Sequence, residues 1–129
     1  MSDNTAIIRG IYAAFAAGDM PAVLASFDPQ IRWDEAEGFP YGGLYTGPDQ
    51  VLENVFMKLG TEWEGFAALP DEYVAEGGTV VALGRYQGVY KATGKKVSVP
   101  MAHVWKLRNG RVTEFRQHTD TAVVRQALE

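Results

Sequence analysis

Residues 99–119 read VPMAHVWKLRNGRVTEFRQHT, from Val99 to Thr119. Two alternating stretches flank Arg108-Asn109-Gly110-Arg111, the pattern of two antiparallel strands joined by a tight turn. The turn can close in two ways. A two-residue turn on Asn109-Gly110 pairs Arg108 with Arg111 and sets His103 on the side of Arg116, His118 and Asp120. A three-residue loop with Gly110 as a bulge pairs Leu107 with Arg111, setting His103 opposite Phe115 and Met101 opposite Gln117. A slip of one residue turns a strand over, so this choice decides which residues face inward. Asn-Gly by itself favours the two-residue turn. Segregation of polarity favours the bulge, which gathers Val99, Met101, His103, Trp105, Phe115, Gln117 and Thr119 on one mostly apolar face. Lys106, Glu114, Arg116 and His118 then share the other.

Upstream of this hairpin, residues 66–76, 79–91 and 96–107 alternate as strands, with Gly77-Gly78 and Thr93-Gly94 as turns. The first half of the chain has a helical period. Ile7, Ile8, Ile11, Tyr12 and Phe15 form a stripe behind candidate caps at Asp3, Asn4 or Thr5, and Gly18 ends it. Asp19-Met20-Pro21 predicts a cap and first turn for a short helix through Phe27, stopped by Asp28-Pro29. Residues 31–35 predict a strand with Ile31, Trp33 and Glu35 on one side. Residues 38–47, with four Gly and Pro40, predict a loop. Gly47-Pro48-Asp49 opens a third helix with Val51, Leu52, Val55, Phe56 and Leu59 on its apolar face. Asp120 suits the cap of a last helix over 121–128. Helices followed by a meander predict a single α+β domain over residues 1–129, with helices on one face of an antiparallel sheet.

Composition excludes several functions. The 129 residues contain no Cys, which removes disulfides, thiolate nucleophiles and Cys-ligated metals. Net charge is −4, against a general nucleic-acid binder. Residues 1–64 carry ten acids and three bases, and residues 65–129 six acids and nine bases. No apolar run approaches the ~18 residues of a membrane span. Met1-Ser2-Asp3-Asn4 lacks the basic and apolar regions of a signal peptide, so a cytoplasmic location is expected. Neither a phosphate-binding Gly-rich loop nor Gly-x-Ser-x-Gly occurs. The two His fall on opposite faces in the bulged register, which leaves only a His103–Glu35 pair as a weak metal candidate. No metal site and no cofactor are expected.

Other stretches carry a resemblance. Residues 7–15 with Gly18-Asp19, Phe27-Asp28, Ile31-Arg32-Trp33, Gly42-Gly43-Leu44-Tyr45-Thr46-Gly47-Pro48, Gly84-Arg85-Tyr86-Gln87-Gly88 and His103-Val104-Trp105…Asn109-Gly110-Arg111-Val112 together resemble the SnoaL-like polyketide cyclase family. That family lies in the nuclear-transport-factor-2-like superfamily, with ketosteroid isomerase and limonene epoxide hydrolase. The resemblance implies a cone of curved antiparallel sheet and helices around one pocket, commonly dimeric through the outer sheet face. His103 matches the pocket histidine of the cyclases. Gln117 stands where the cyclases and the epoxide hydrolase have a catalytic Asp, an alignment that also favours the bulged register. Trp33 replaces the isomerase base and Ile11 its oxyanion tyrosine, with Tyr12 one step around the helix. Tyr86 replaces a pocket carboxylate of the hydrolase.

The residues thus point to a pocket for a flat, apolar small molecule, walled by Trp33, Trp105 and Phe115. Tyr86 and Gln117 supply hydrogen bonds to it, and Met101 and Thr119 belong to the same face. His103, inward among aromatics, is the candidate for proton transfer. Glu35 is its candidate partner if it points inward; the competing reading makes it an exposed loop acid. Two functions fit: a cofactor-independent acid–base enzyme (isomerase, cyclase or hydrolase), and a non-catalytic ligand-binding or dimerisation module. A homodimer through the face bearing Arg116 and His118 is expected, with neither nucleic acid nor membrane as partner.

Overall fold

Asp3 opens α1 (Asn4–Ala16) by accepting the Ala6 N–H at 3.0 Å, satisfying one of the unpaired amides of a helix start. The structure, a computed structural model, describes residues 3–129, so Met1 and Ser2 of the expected leader-free N-terminus lie outside the described residues. Ile8 and Ile11 are buried, and Gly18, at φ 73, turns the chain toward α2 (Met20–Ala25), capped by Asp19. This helix is shorter than the sequence suggests. Phe27 already begins β1 (Phe27–Glu35), and Asp28-Pro29 lie within that strand.

Residues 38–47 are not wholly loop. They contain β2 (Gly43–Thr46), which pairs antiparallel with β1, Trp33 against Tyr45. Gly47, at φ 86, leads into α3 (Pro48–Val51), a π-helical turn (Leu52–Phe56) and α4 (Met57–Glu62). These occupy the expected third helix. Its buried residues Val51, Val55 and Leu59 are spaced by four, which the wider π turn keeps in line.

The meander follows as β3 (Trp63–Glu76), β4 (Thr79–Tyr90), β5 (Lys96–Arg108) and β6 (Arg111–Thr119). Sheet order is β2-β1-β6-β5-β4-β3. The fold is the expected α+β one, with helices against a curved, unclosed sheet. One pairing departs from antiparallel: β1 runs parallel to β6. More than half of the chain separates these two strands, and so long a connection permits parallel alignment where a tight hairpin does not. Finally, α5 (Thr121–Ala127) is capped by Asp120, whose carboxylate accepts the Val123 N–H at 3.3 Å.

The last hairpin corrects the expected turn and retains the expected face. Asn109 and Gly110 both have positive φ, 53° and 77°, and Arg108 pairs with Arg111. This is the two-residue turn, not the three-residue loop. The extra residue enters farther along. Leu107 pairs with Val112 but Lys106 pairs with Glu114, leaving Thr113 unpaired, its hydroxyl donating to the Lys106 carbonyl at 3.2 Å. One added residue reverses the alternation. His103, Trp105, Phe115 and Gln117 therefore all face inward and are buried. Their partners shift: His103 lies opposite Gln117 instead of Phe115, and Met101 opposite Thr119 instead of Gln117.

Candidate active site

The inner sheet face and the helices enclose a cavity of about 50 Å³ lined mainly by aromatic and aliphatic side chains. Four strands carry polar groups to it. β1 projects Trp33 and Glu35 inward, two residues apart on one face. The parallel pairing sets Trp33 beside Phe115, and their rings stack with centroids 3.7 Å apart. β5 supplies His103 and Trp105, β6 Gln117 and β4 Tyr86. From α1 come Ile11, Tyr12 and Phe15; Phe39 closes another wall from the segment between β1 and β2.

Glu35 is 3 % exposed, which overturns the reading of it as an exposed loop acid. The strand continues through it, so the alternation that buries Ile31 and Trp33 buries it too. The Trp33 indole N–H donates to its Oε1 at 2.8 Å. Burial penalises the carboxylate more than this bond relieves it, and the pKa is pushed up to about 8. Glu35 thus exchanges its proton near neutrality, with its surroundings tilted toward the acid form.

His103 behaves oppositely. Burial, with a smaller contribution from His118, lowers its pKa to about 3, so the imidazole is neutral at pH 7. Both ring nitrogens meet tyrosine hydroxyls: Nδ1 lies 2.5 Å from Tyr12 Oη, and Nε2 is bonded to Tyr86 Oη. Trp105 Nε1 donates to Tyr12 Oη and Gln117 Nε2 to Tyr86 Oη, each at 2.9 Å. Gln117 Oε1 in turn accepts the Ala36 N–H at 2.9 Å. Burial holds both phenols above their ordinary range, so both are protonated hydroxyls.

Of the expected residues, Trp33, Glu35, Tyr86, His103, Trp105, Phe115 and Gln117 meet at this cavity. Met101 and Thr119 do not line it. They form the next pair along the hairpin, and the Thr119 hydroxyl donates to the Pro100 carbonyl. Tyr12 was missed as a polar partner of the site. Its place in the stripe of Ile8, Ile11 and Phe15 was the available signal, but the stripe does not say that a hydroxyl meets His103. Phe39, Phe56 and Phe66 also line the cavity and carried no signal beyond hydrophobicity. His118 and Arg116 are exposed on the outer face, where Arg116 Nε lies 3.6 Å from Asp34. No group of three or more His, Asp or Glu side chains suited to a metal occurs among the described residues, and no described helix is long and apolar enough to cross a membrane.

The SnoaL-like domain family matches residues 8–115. The chain belongs to that family. This SnoaL-like chain is also similar to solved structures over its full length. An NTF2-like protein from Burkholderia thailandensis is 40 % identical, over 100 % of this chain and 99 % of that one, with a TM-score of 0.96. An NTF2-like protein of unknown function from Burkholderia pseudomallei is 32 % identical over 98 % of each chain, TM-score 0.90. TerC, co-crystallised with polyporic acid, has the same fold at 24 % identity over 98 % of each chain, TM-score 0.88. Among curated proteins nothing matches. The SnoaL-like fold supports ligand binding or cyclase-type chemistry in general, and it leaves the reaction to the residues of each site.

Proposed function

We propose that this SnoaL-like protein binds a small, mainly apolar molecule in the cavity and catalyses a cofactor-independent acid–base step on it. The observation that carries this reading is Glu35, a buried carboxyl at the cavity wall whose pKa near 8 suits proton exchange at physiological pH. Glu35 takes a proton from a carbon beside a ligand carbonyl and returns it at another carbon. The Tyr86 hydroxyl, held by Gln117 and His103, stabilises charge on the carbonyl oxygen meanwhile. Trp33, Trp105 and Phe115 hold the apolar body. His103, neutral and bonded on both sides, serves as orienter, and the proton exchange expected of it passes to Glu35. This assignment leaves isomerisation, cyclisation and hydrolysis as the reaction types, and a cytoplasmic location remains part of the proposal.

Size bears on the substrate. A cavity of about 150 Å³ accepts benzene, so the present volume of about 50 Å³ suits only smaller molecules while every wall stays in place. A flat polycyclic substrate requires displacement of a wall residue such as Phe39 or Phe56.

The small volume also favours the second reading, a non-catalytic binding module. A panel of enones, epoxides and polyketide-like compounds separates the two. Turnover by the wild type that falls at least about a hundredfold in Glu35→Gln supports the enzyme reading. Binding without turnover rejects it, and turnover unchanged in Glu35→Gln rejects Glu35 as the group that carries the proton. His103→Ala tests the original proton-transfer expectation in the same assay.

We also propose a homodimer through the outer sheet face. Val74, Val81 and Val104 lie side by side there across β3, β4 and β5, partly or largely exposed, with Arg116 and His118 at the margin.

A further inference from the structure

The Tyr12–His103–Tyr86 array contains more protons than its own bonds use. A neutral imidazole carries one N–H and each tyrosine one O–H, three protons in all. The two histidine–tyrosine bonds consume two of them. The outer partners cannot take the third. The Trp105 indole is only a donor, and it already donates to Tyr12. Gln117 presents its NH₂ to Tyr86, and its amide cannot be reversed because the Ala36 N–H requires Oε1 as acceptor. Among the described residues, neither hydroxyl makes a further hydrogen bond.

The tautomer of His103 decides which proton is left over. With the proton on Nε2, His103 donates to Tyr86 and Tyr12 donates to Nδ1. Tyr86 oxygen then accepts two bonds, and its own proton is free. With the proton on Nδ1 the roles reverse, and the free proton is that of Tyr12. Both tyrosines line the cavity. A hydroxyl that accepts two hydrogen bonds is polarised into a stronger donor. No Lys or Arg lines the same cavity among the described residues, so an anionic ligand would lose its hydration without meeting a cation.

We propose that His103 is a positioning residue whose tautomer selects whether Tyr86 or Tyr12 offers its hydroxyl proton to a ligand, and that the cavity accordingly takes neutral molecules bearing an acceptor oxygen. This rests on the ligand-binding reading above and adds a rule for what binds. The position of the donor changes with no change in net charge.

Ring-nitrogen NMR shifts of labelled histidine in the full chain test the switch. Tyr86→Phe leaves Nε2 without a hydroxyl and one proton still unbonded. In the Nδ1–H form that proton is the Tyr12 O–H, which can turn into the cavity, whereas in the Nε2–H form it is an N–H fixed against a bare ring, so His103 should take the Nδ1–H form. Tyr12→Phe should give the Nε2–H form. The same tautomer in both variants overturns the switch. If either variant fails to fold, the wild type decides: the count requires a neutral His103 with one N–H at pH 7, and an imidazolium there overturns it. Butanone and butanoate, followed by their carbonyl carbon signals, test the ligand class. Butanone should bind at least about tenfold more tightly than the anion of equal chain length. Equal or tighter butanoate binding, or binding of neither, overturns that class. None of these readouts needs turnover, so the switch can fail while Glu35-dependent turnover persists, and turnover can be absent while the switch operates.

Discussion

The Trp33 indole N–H donates to Glu35 Oε1 at 2.8 Å, between two residues that share the inner face of β1. The bond stabilises the carboxylate against the burial that raises its pKa. Removing the donor in Trp33→Phe should therefore raise the Glu35 pKa above about 8, by about 1 to 2, since hydrogen bonds to charged groups contribute roughly 1.5–3 kcal/mol. A carboxyl-carbon NMR titration of both proteins checks it. An unchanged or lowered pKa would show that the indole does not support the ionised form.

Glu35 and His103 give stability a two-sided pH dependence. The Glu35 pKa rises from 4.5 to about 8 on folding, so the native state holds a proton that the unfolded chain releases. Its contribution is complete below pH 4.5 and is lost as pH rises to about 8. The His103 pKa falls from 6.5 to about 3, so the unfolded chain binds the extra proton. Its contribution is complete above pH 6.5 and is lost as pH falls toward 3. Between 4.5 and 6.5 the two slopes oppose each other, and urea midpoints should be nearly flat. They should decline on both sides, and Glu35→Gln should remove the alkaline decline. A midpoint that rises steadily from pH 6.5 to 8 in the wild type would contradict the buried acid.

Catalysis by Glu35 as a general base requires its ionised form. The kcat/KM of any substrate found should rise with pH and level off above about 8, the pKa of the free enzyme's Glu35. A profile that falls through the same range would make Glu35 the general acid instead.

Thr113 is the added residue that turns Phe115 and Gln117 inward. Deleting it restores plain alternation and sends both residues to the outer face. Exposing Phe115 and removing its stack with Trp33 should cost at least the roughly 3–5 kcal/mol of a buried Phe→Ala change. Circular dichroism should show a largely unfolded chain. Thr113→Ser keeps the count and the hydroxyl and should fold with a melting temperature close to wild type.

Sedimentation at micromolar concentration should give a dimer for the wild type and a monomer for Val81→Lys, because a charge replaces the middle of the apolar outer stripe. A monomeric wild type would remove the dimer from the account.

The division between sequence and tertiary structure is sharpest in the last hairpin. Alternation around Asn109-Gly110 is a local property, and so are the Asp3, Asp19 and Asp120 caps; short-range sterics and hydrogen bonds suffice for both. The inward set of His103, Trp105, Phe115 and Gln117 was legible because polarity must segregate on a half-buried sheet. The location of the extra residue was not. Thr113 and Gly110 give the same parity, and only the packed sheet distinguishes them by the pairs they leave in register.

The parallel contact of β1 with β6 was equally invisible, since no local pattern specifies which distant strand supplies an edge. That contact stacks Trp33 on Phe115 and brings Glu35 and the Ala36 amide to the Gln117 side of the cavity. Sequence alone therefore determined the fold class and the Asp19 and Asp120 caps, and it favoured the inward histidine. Tertiary structure decided that Glu35 is buried, that His103 is neutral, and that two tyrosines share its protons. These are consequences of desolvation and of contacts up to 93 residues apart, and no window along the chain contains them.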